Sequence, residues 1–416
     1  MKNILKLEIY DGFRCTGGSC DFTCCEGWDI VVDDATNKKW ETKSEHPGYL
    51  VRQVISKQGD AGTQNFIKMG PRKCCPFLNE SGLCSICEEF GEDYMPETCR
   101  KFPRQENRFG KLREFSLSCG CPEVVEMINR ISGQIKIEFE GDRDTLLCEG
   151  MIDAGQSDTV SPTAHSGQSV FSHGTNVPMR EYLPPAYAIR EAILNMIQNR
   201  EIPILERFYS AFNMLLNIKN QSGANEESAA AEEAGATEES SAAKEPGGTG
   251  EKGGHENTIR ASITEINDLF LDVVQNYRNE ESFGYYLHDI AELAETLETD
   301  AVSAVWDAFK AEFSHYDRLL ENCMVSKVFG TCVSDDIEEM IMSFQMAVTE
   351  YVMVRYSCFL IWLINGKKKI EYDDVRDYIV AYSRIIGYNI EGMKEFWDER
   401  FEKTVWEPGY MLQLIS

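Results

Sequence analysis

The chain has 416 residues, 43% of them hydrophobic, enough to bury a substantial core, which excludes a disordered chain. Sixty-nine acidic residues face 41 basic ones, for a formal charge of -28. So acidic a surface repels phosphate backbones, which argues against nucleic acid as a partner, and it attracts lysine-rich surfaces; solubility alone would also account for it.

The N-terminal MKNILKLEIYDGF has neither an apolar run nor a small-residue cleavage site, so no signal peptide is expected and the chain reads as cytoplasmic. Alternation suggests a strand over Leu5–Tyr10. Short helices are expected at Ala35–Lys57 and Glu123–Ile131, set among Gly- and Pro-rich loops. Residues 154–178 are small and polar and read as a linker. Residues 220–257 are a low-complexity acidic insert of Ala, Glu, Gly and Ser, expected to be disordered. Helical spacing then dominates: Ile189, Ile193, Met196 and Ile197; Leu205, Phe208, Phe212, Leu215 and Leu216 after Pro203; Val302, Val305, Phe309, Phe313 and Leu320. Ile341–Asn365 is long and apolar, but Glu350 and Arg355 near its middle would be costly in hydrocarbon, so a buried core helix is the better reading than a membrane span. Asp373 or Asp374 would cap a helix through Ile379, Tyr382 and Ile386. No G-x-G-x-x-G follows a strand, so no Rossmann-type site is visible.

Twelve of the 15 cysteines precede residue 150: Cys15, Cys20, Cys24, Cys25, Cys74, Cys75, Cys84, Cys87, Cys99, Cys119, Cys121 and Cys148. In a reducing compartment such clustering points to metal or redox chemistry rather than disulfides. Cubane iron–sulfur clusters take four thiolates, and short spacings with a distant closing cysteine suit them. Cys20-x3-Cys24 and Cys84-x2-Cys87 would equally serve as zinc knuckles. His46 is the one histidine in this region, so a zinc site would be nearly all thiolate. One member of each adjacent pair, such as Cys24 and Cys25, would pack as a small apolar residue. The radical-enzyme pattern C-x3-C-x2-C is not met, because Gly27 occupies its last position.

Phe13–Thr36 (FRCTGGSCDFTCCEGWDIVVDDAT), Cys74–Cys87 (CCPFLNESGLCSIC), Gly91–Arg104 (GEDYMPETCRKFPR) and Ser116–Val124 (SLSCGCPEV) resemble, in order and spacing, the flagellin lysine-N-methylases. These belong to a broader group of CxxxCxxCC-type cysteine-rich iron–sulfur proteins. Weaker similarity continues through Leu319–Gly330 (LLENCMVSKVFG) and the helices after it. The resemblance implies an enzyme, a protein-lysine N-methyltransferase that uses S-adenosylmethionine, carries a [4Fe-4S] cluster and acts on flagellin. Carried over by position, the family-type cysteines are Cys15, Cys20, Cys24, Cys25, Cys75, Cys84, Cys99 and Cys119, and the favoured cluster ligands are Cys20, Cys24, Cys84 and Cys99. Cys74, Cys87 and Cys121 are extras relative to that pattern.

Methyl transfer to lysine requires the free amine, whose conjugate acid has a pKa near ~10.4, and a sulfonium in line with it. Aromatic faces hold both cations. Trp28, in the Gly27-Trp28-Asp29 turn, is the first candidate; its plainer role is a core tryptophan. Tyr94 and Phe102 flank Cys99 and could serve likewise. Asp29 could act as base or bind the donor's ammonium, or simply cap a turn. Arg100 and Arg104 lie close to Cys99 in sequence, where a cation would stabilise a cluster's negative charge or hold a donor carboxylate, surface ion pairs being the alternative.

The expected fold is mainly α: an irregular cysteine-rich metal-binding module over 1–150, a linker over 151–179, a helical segment over 180–219, the acidic insert over 220–257 and a helical domain over 258–416. Flagellin is the expected partner, with no nucleic acid, no membrane and a monomeric chain. The alternative is a non-enzymatic iron–sulfur or zinc carrier or adaptor of the same cysteine-rich group.

Overall fold

A computed structural model describes residues 3–42, 50–59, 62–71, 74–110, 112–141, 185–234, 254–276 and 281–386. The linker expected over 151–179, Cys148 and His46 lie outside these residues.

The first strand, β1 (Asn3–Leu7), is shorter than its alternation suggests and sits inside a mixed sheet. It runs parallel to β5 (Leu112–Leu117), with Leu5 opposite Glu114, and antiparallel to β6 (Ile137–Glu140), with Leu7 opposite Ile137. β4 (Arg104–Phe109) forms the outer edge and joins β5 through a turn at Gly110, whose φ of 57° is the left-handed conformation a glycine adopts freely. Sequence reading misses this hairpin because β4 (RQENRF) is an edge strand with no buried face and so shows no apolar alternation.

The helix expected over Ala35–Lys57 is only partly formed. Helix α1 spans Asp34–Thr42, but Val54–Gly59 is strand β2, hairpinned onto β3 (Gly62–Ile67). β-Branched Val54 and Ile55, opposite Ile67 and Phe66, favour the pleated conformation. Two short helices follow, α2 (Ser85–Phe90) and α3 (Glu97–Lys101). Helix α4 (Pro122–Asn129) begins with Pro122, which has no backbone N–H to leave unpaired, and buries Val124, Val125 and Ile128.

Beyond these the described chain is helical: α5 (Pro185–Gln198), α6 (Ile204–Ala234), α7 (Gly254–Asn276), α8 (Glu281–Thr296), α9 (Thr299–Phe313), α10 (Asp317–Thr331), α11 (Ile337–Ile364) and α12 (Tyr372–Ile385). Helix α6 continues to Ala234, so the first part of the segment read as a disordered insert is helical backbone. Leu320 is not on α9, whose run ends at Phe313; it opens α10 after a tight turn. Asp373 and Asp374 lie in the first turn of α12 rather than capping it, where carboxylates still complement the exposed N–H groups.

The long apolar segment is α11. It is the one described helix long and apolar enough to cross a membrane, and 78% of its most apolar window is buried inside the protein. Asp336 caps it, accepting from the backbone N–H groups of Glu338 and Glu339. Its Glu350 is paired with Lys327 of α10 at 2.5 Å and accepts from the Ser383 hydroxyl of α12, which meets the need of a buried carboxylate for partners.

The sheet and the helices share one apolar core, from Leu5 and Leu117 to Phe359 and Tyr382. Helix α10 docks closely on the sheet: a Cβ on Gly330 would stand 2.7 Å from Gln105 Oε1 and 2.8 Å from Ser116 Oγ. Asn107 Nδ2 donates to the Gly330 carbonyl there (3.0 Å). A second, smaller core gathers Ile30, Val32, Trp40, Leu50, Ile67, Phe77 and Ile86 between α1, α2 and the β2–β3 hairpin. The N-terminal third is therefore divided: its sheet and α4 belong to the helical body, while the segments from about Cys25 to Cys99 pack on their own.

Candidate metal centre

Loops, not regular elements, deliver most of the thiols, and backbone contacts fix those loops against one another. The Cys15–Cys20 loop crosses the Ser81–Gly82 turn so closely that a Cβ on Gly18 would strike the Ser81 carbonyl. The next loop is stitched to the Cys74–Cys75 segment by a bridge between Glu26 and Cys74 and by the Cys75 N–H donating to the Cys25 carbonyl (2.8 Å). Cys84 bridges to Leu78 and stands at the start of α2, while Cys99 lies within α3. Asp33 ties α1 to α3: its carboxylate accepts from Thr36 N–H (2.9 Å), the Thr36 hydroxyl (2.8 Å) and the N–H of Glu97 (2.8 Å).

The result is a group of thiols from four separate segments. Burial pushes the Cys99 thiol well up, and the nearby thiols of Cys24, Cys75 and Cys84 push it further. Burial likewise takes Cys75 up to about 12, with Cys84, Cys74 and Cys24 adding to it. Cys24 and Cys25 share a hydrogen bond that lowers the Cys24 thiol to about 7 and raises that of Cys25. Buried neighbouring thiols oppose one another's ionisation unless a hydrogen bond or a cation compensates the charge. Soft donors of this kind suit zinc or an iron–sulfur cluster. Among the described residues, however, no three His, Cys, Asp or Glu side chains are already arranged to hold a metal ion. The donor set fits such a group; the arrangement would have to close around it.

Of the four favoured ligands, Cys24, Cys84 and Cys99 lie near enough to interact electrostatically, as does Cys75. Cys20 is also near Cys24; burial raises its thiol, and its Sγ donates to the Phe22 carbonyl (3.3 Å). Cys121 is close to both Cys20 and Cys24; burial takes it up to about 12 although the N–H groups of Val124 and Glu123 bond its sulfur. Cys119 is buried against the helical body and is hydrogen-bonded with Cys323 of α10. Cys15 is exposed. Cys87 lies one turn into α2, near Cys84.

The other candidates are mostly engaged. Trp28 Nε1 donates to the Cys24 carbonyl (2.7 Å), its ring meets Phe102 edge-on at 4.7 Å, and the cation beside that ring is Arg384, at 5.8 Å. Asp29 is paired with Lys57 at 2.7 Å on the surface. Tyr94 packs beside Phe90 and under Lys39, and its carbonyl accepts from Trp40 Nε1. Arg100 is exposed on α3. Arg104 donates to the Phe13 carbonyl (3.2 Å) and covers the Phe13 ring at 4.9 Å. An open cleft of about 420 Å³ at the β4–β5 hairpin, lined by Lys101, Glu106, Asn107, Arg108, Phe109 and Val333, contains none of the candidates.

Sequence reading gave no role to Arg384, which is 3% exposed on α12 and donates to carbonyls around Cys24. It sits in residues 190–414, and that region matches the family model of the FliB lysine N-methylase C-terminal domain. The chain belongs to the FliB lysine N-methylase family. Its relatives include the flagellar biosynthetic protein FliU of Salmonella muenchen, 29% identical over 133 residues, which cover 31% of this chain and 79% of FliU. The lysine-N-methylases of Salmonella typhimurium and Salmonella choleraesuis are also 29% identical over 133 residues, a match that spans only 33% of each. No solved structure matches the chain. Membership of the FliB family supports lysine methylation as the class of reaction.

Proposed function

We propose that the protein transfers methyl groups from S-adenosylmethionine to lysine side chains of flagellin and carries a [4Fe-4S] cluster on its thiol-rich body. The observation that carries this reading is the convergence of Cys24, Cys75, Cys84 and Cys99 in a chain of a lysine N-methylase family. The flagellar name of FliU supports a flagellar substrate.

Cys24, Cys75, Cys84 and Cys99 would hold the cluster, with Cys25 alongside as a thiol packed against the small core. When bound, such a group supplies an electron-rich iron–sulfide unit whose charge four thiolates balance. The acidic surface would draw in a lysine-bearing partner. Trp28, Asp29 and Tyr94 border the same small body and are the side chains on which a substrate amine would be sought first.

Protein purified without oxygen, incubated with flagellin and S-adenosylmethionine and analysed by mass spectrometry, should yield methylated lysines. Metal-replete protein that leaves flagellin unmodified would sink the enzymatic reading. Bound zinc with no sulfide would shift the thiol site to a zinc-stapled adaptor instead.

A further inference from the structure

One side chain joins the helical body to the thiol loops. Arg384 lies 361 residues after Thr23, yet one of its terminal nitrogens donates to the carbonyls of Thr23 (2.9 Å) and Glu26 (3.2 Å). The other donates to Phe22 (3.0 Å), and Nε donates to Gly120 (2.9 Å). The guanidinium is stacked 4.5 Å from the Phe22 ring. Two separate segments are thus held by one rigid plane: the loop carrying Cys20, Cys24 and Cys25, and the turn carrying Cys119 and Cys121. Buried loop carbonyls outside regular structure need donors, and a guanidinium offers five in a fixed fork. A lysine ammonium carries the same charge but cannot span four carbonyls in one plane. The bonds leave the cation buried next to thiols that would become thiolates on taking up a metal.

We propose that Arg384 is a positioning residue of the thiol site, through which the helical domain fixes the Phe22–Glu26 loop and the Gly120 turn in the frame that metal binding requires. The part of this that concerns a metal rests on the cluster reading above; the positioning itself does not.

The test uses the full chain with Arg384→Lys and Arg384→Gln. Iron and sulfide uptake is measured by anaerobic reconstitution and the visible spectrum. In parallel, the metal-free proteins are pulsed with iodoacetamide and each cysteine is read by mass spectrometry. We expect metal affinity about 10- to 100-fold lower in both variants, the range for losing a residue that orients ligands. Alkylation should rise selectively at Cys20, Cys24 and Cys25 relative to Cys84, just before α2, and Cys87, within it, while far-UV circular dichroism keeps its helical signal. Wild-type affinity overturns the proposal. So does labelling that is unchanged, or that rises uniformly with the buried Cys323, Cys332 and Cys358 included, since that reports general loosening. If the wild type takes up no iron, the cluster reading falls, and the labelling pattern alone decides the role of Arg384.

Discussion

Along α11 almost every side chain from Met340 to Phe359 is buried against α6 to α10 and α12, and the same apolar core runs on into the sheet. Around the thiols the core is eight described residues, from Ile30 to Ile86, rimmed by half-buried Cys25, Cys84 and Cys99. The first body is large enough to be stabilised by burial alone. The second is of the size at which proteins recruit a disulfide or metal staple, and none of its described cysteines is in a disulfide. On the proposed reading, stability is divided by chemistry as well as by place: apolar burial on one side, thiol ligation on the other.

Stripping metal should break that division most visibly. Structural thiolate sites in small folds are worth on the order of 10 kcal/mol, all of it lost on chelation. Hydrogen exchange on protein treated with a strong chelator should show α1, α2 and the β2–β3 hairpin losing protection while α10, α11 and α12 keep theirs. Equal loss in both bodies would mean that the small core does not depend on the thiols.

The converse lesion belongs to the helical body. Arg190 on α5 pairs with Glu114 on β5 at 2.5 Å, both 1% exposed, with the guanidinium among the rings of Phe109, Tyr187 and Phe329. Burial raises the Glu114 carboxyl, while Arg190 holds it down. Removing one partner leaves the other buried and uncompensated, at about 3–5 kcal/mol. Glu114→Ala should lower the unfolding free energy from urea titration by that much, yet leave the spectrum of any bound cluster unchanged in the protein that remains folded.

How much of this could be read in advance follows the same divide. The helical spacings of Ile193, Phe208 and Phe309 are visible because a buried helix face repeats in sequence. The buried nature of α11 is visible because Glu350 and Arg355 interrupt it. The thiol group is legible as composition, but its membership is not. Backbone pairing of Cys25 with Cys75 brings Cys75 near Cys24, and sequence spacing does not encode a contact between loops 50 residues apart. Trp28 is identifiable as an aromatic beside the cysteines, yet its ring already faces Arg384, a residue no local pattern could link to it. The β2–β3 and β4–β5 hairpins are hidden for a different reason: β2, β3 and β4 are mostly exposed or half-buried and carry little apolar alternation, while β5 turns polar Glu114 and Ser116 to its buried side.

A smaller effect sharpens the comparison at the seam inside the thiol body. Burial pushes the Asp33 carboxyl up, but the N–H groups of Glu97 and Thr36 and the Thr36 hydroxyl outweigh it, so the folded value lies below the ordinary one. A carboxyl harder to protonate when folded than when unfolded stabilises the fold fully above its unfolded pKa, near ~3.9, and loses that contribution as pH falls through the folded value. The cap on α1 is worth about 1 kcal/mol by the usual cost of replacing such a residue with alanine. Asp33→Ala should therefore melt below the wild type at neutral pH, and the gap should close under acid conditions. Because Asp33 also holds the start of α3, which carries Cys99, the variant should raise alkylation at Cys99 more than at Cys323, which is buried in the other body. A gap that persists undiminished at low pH would show that Asp33 acts through packing rather than through its charge.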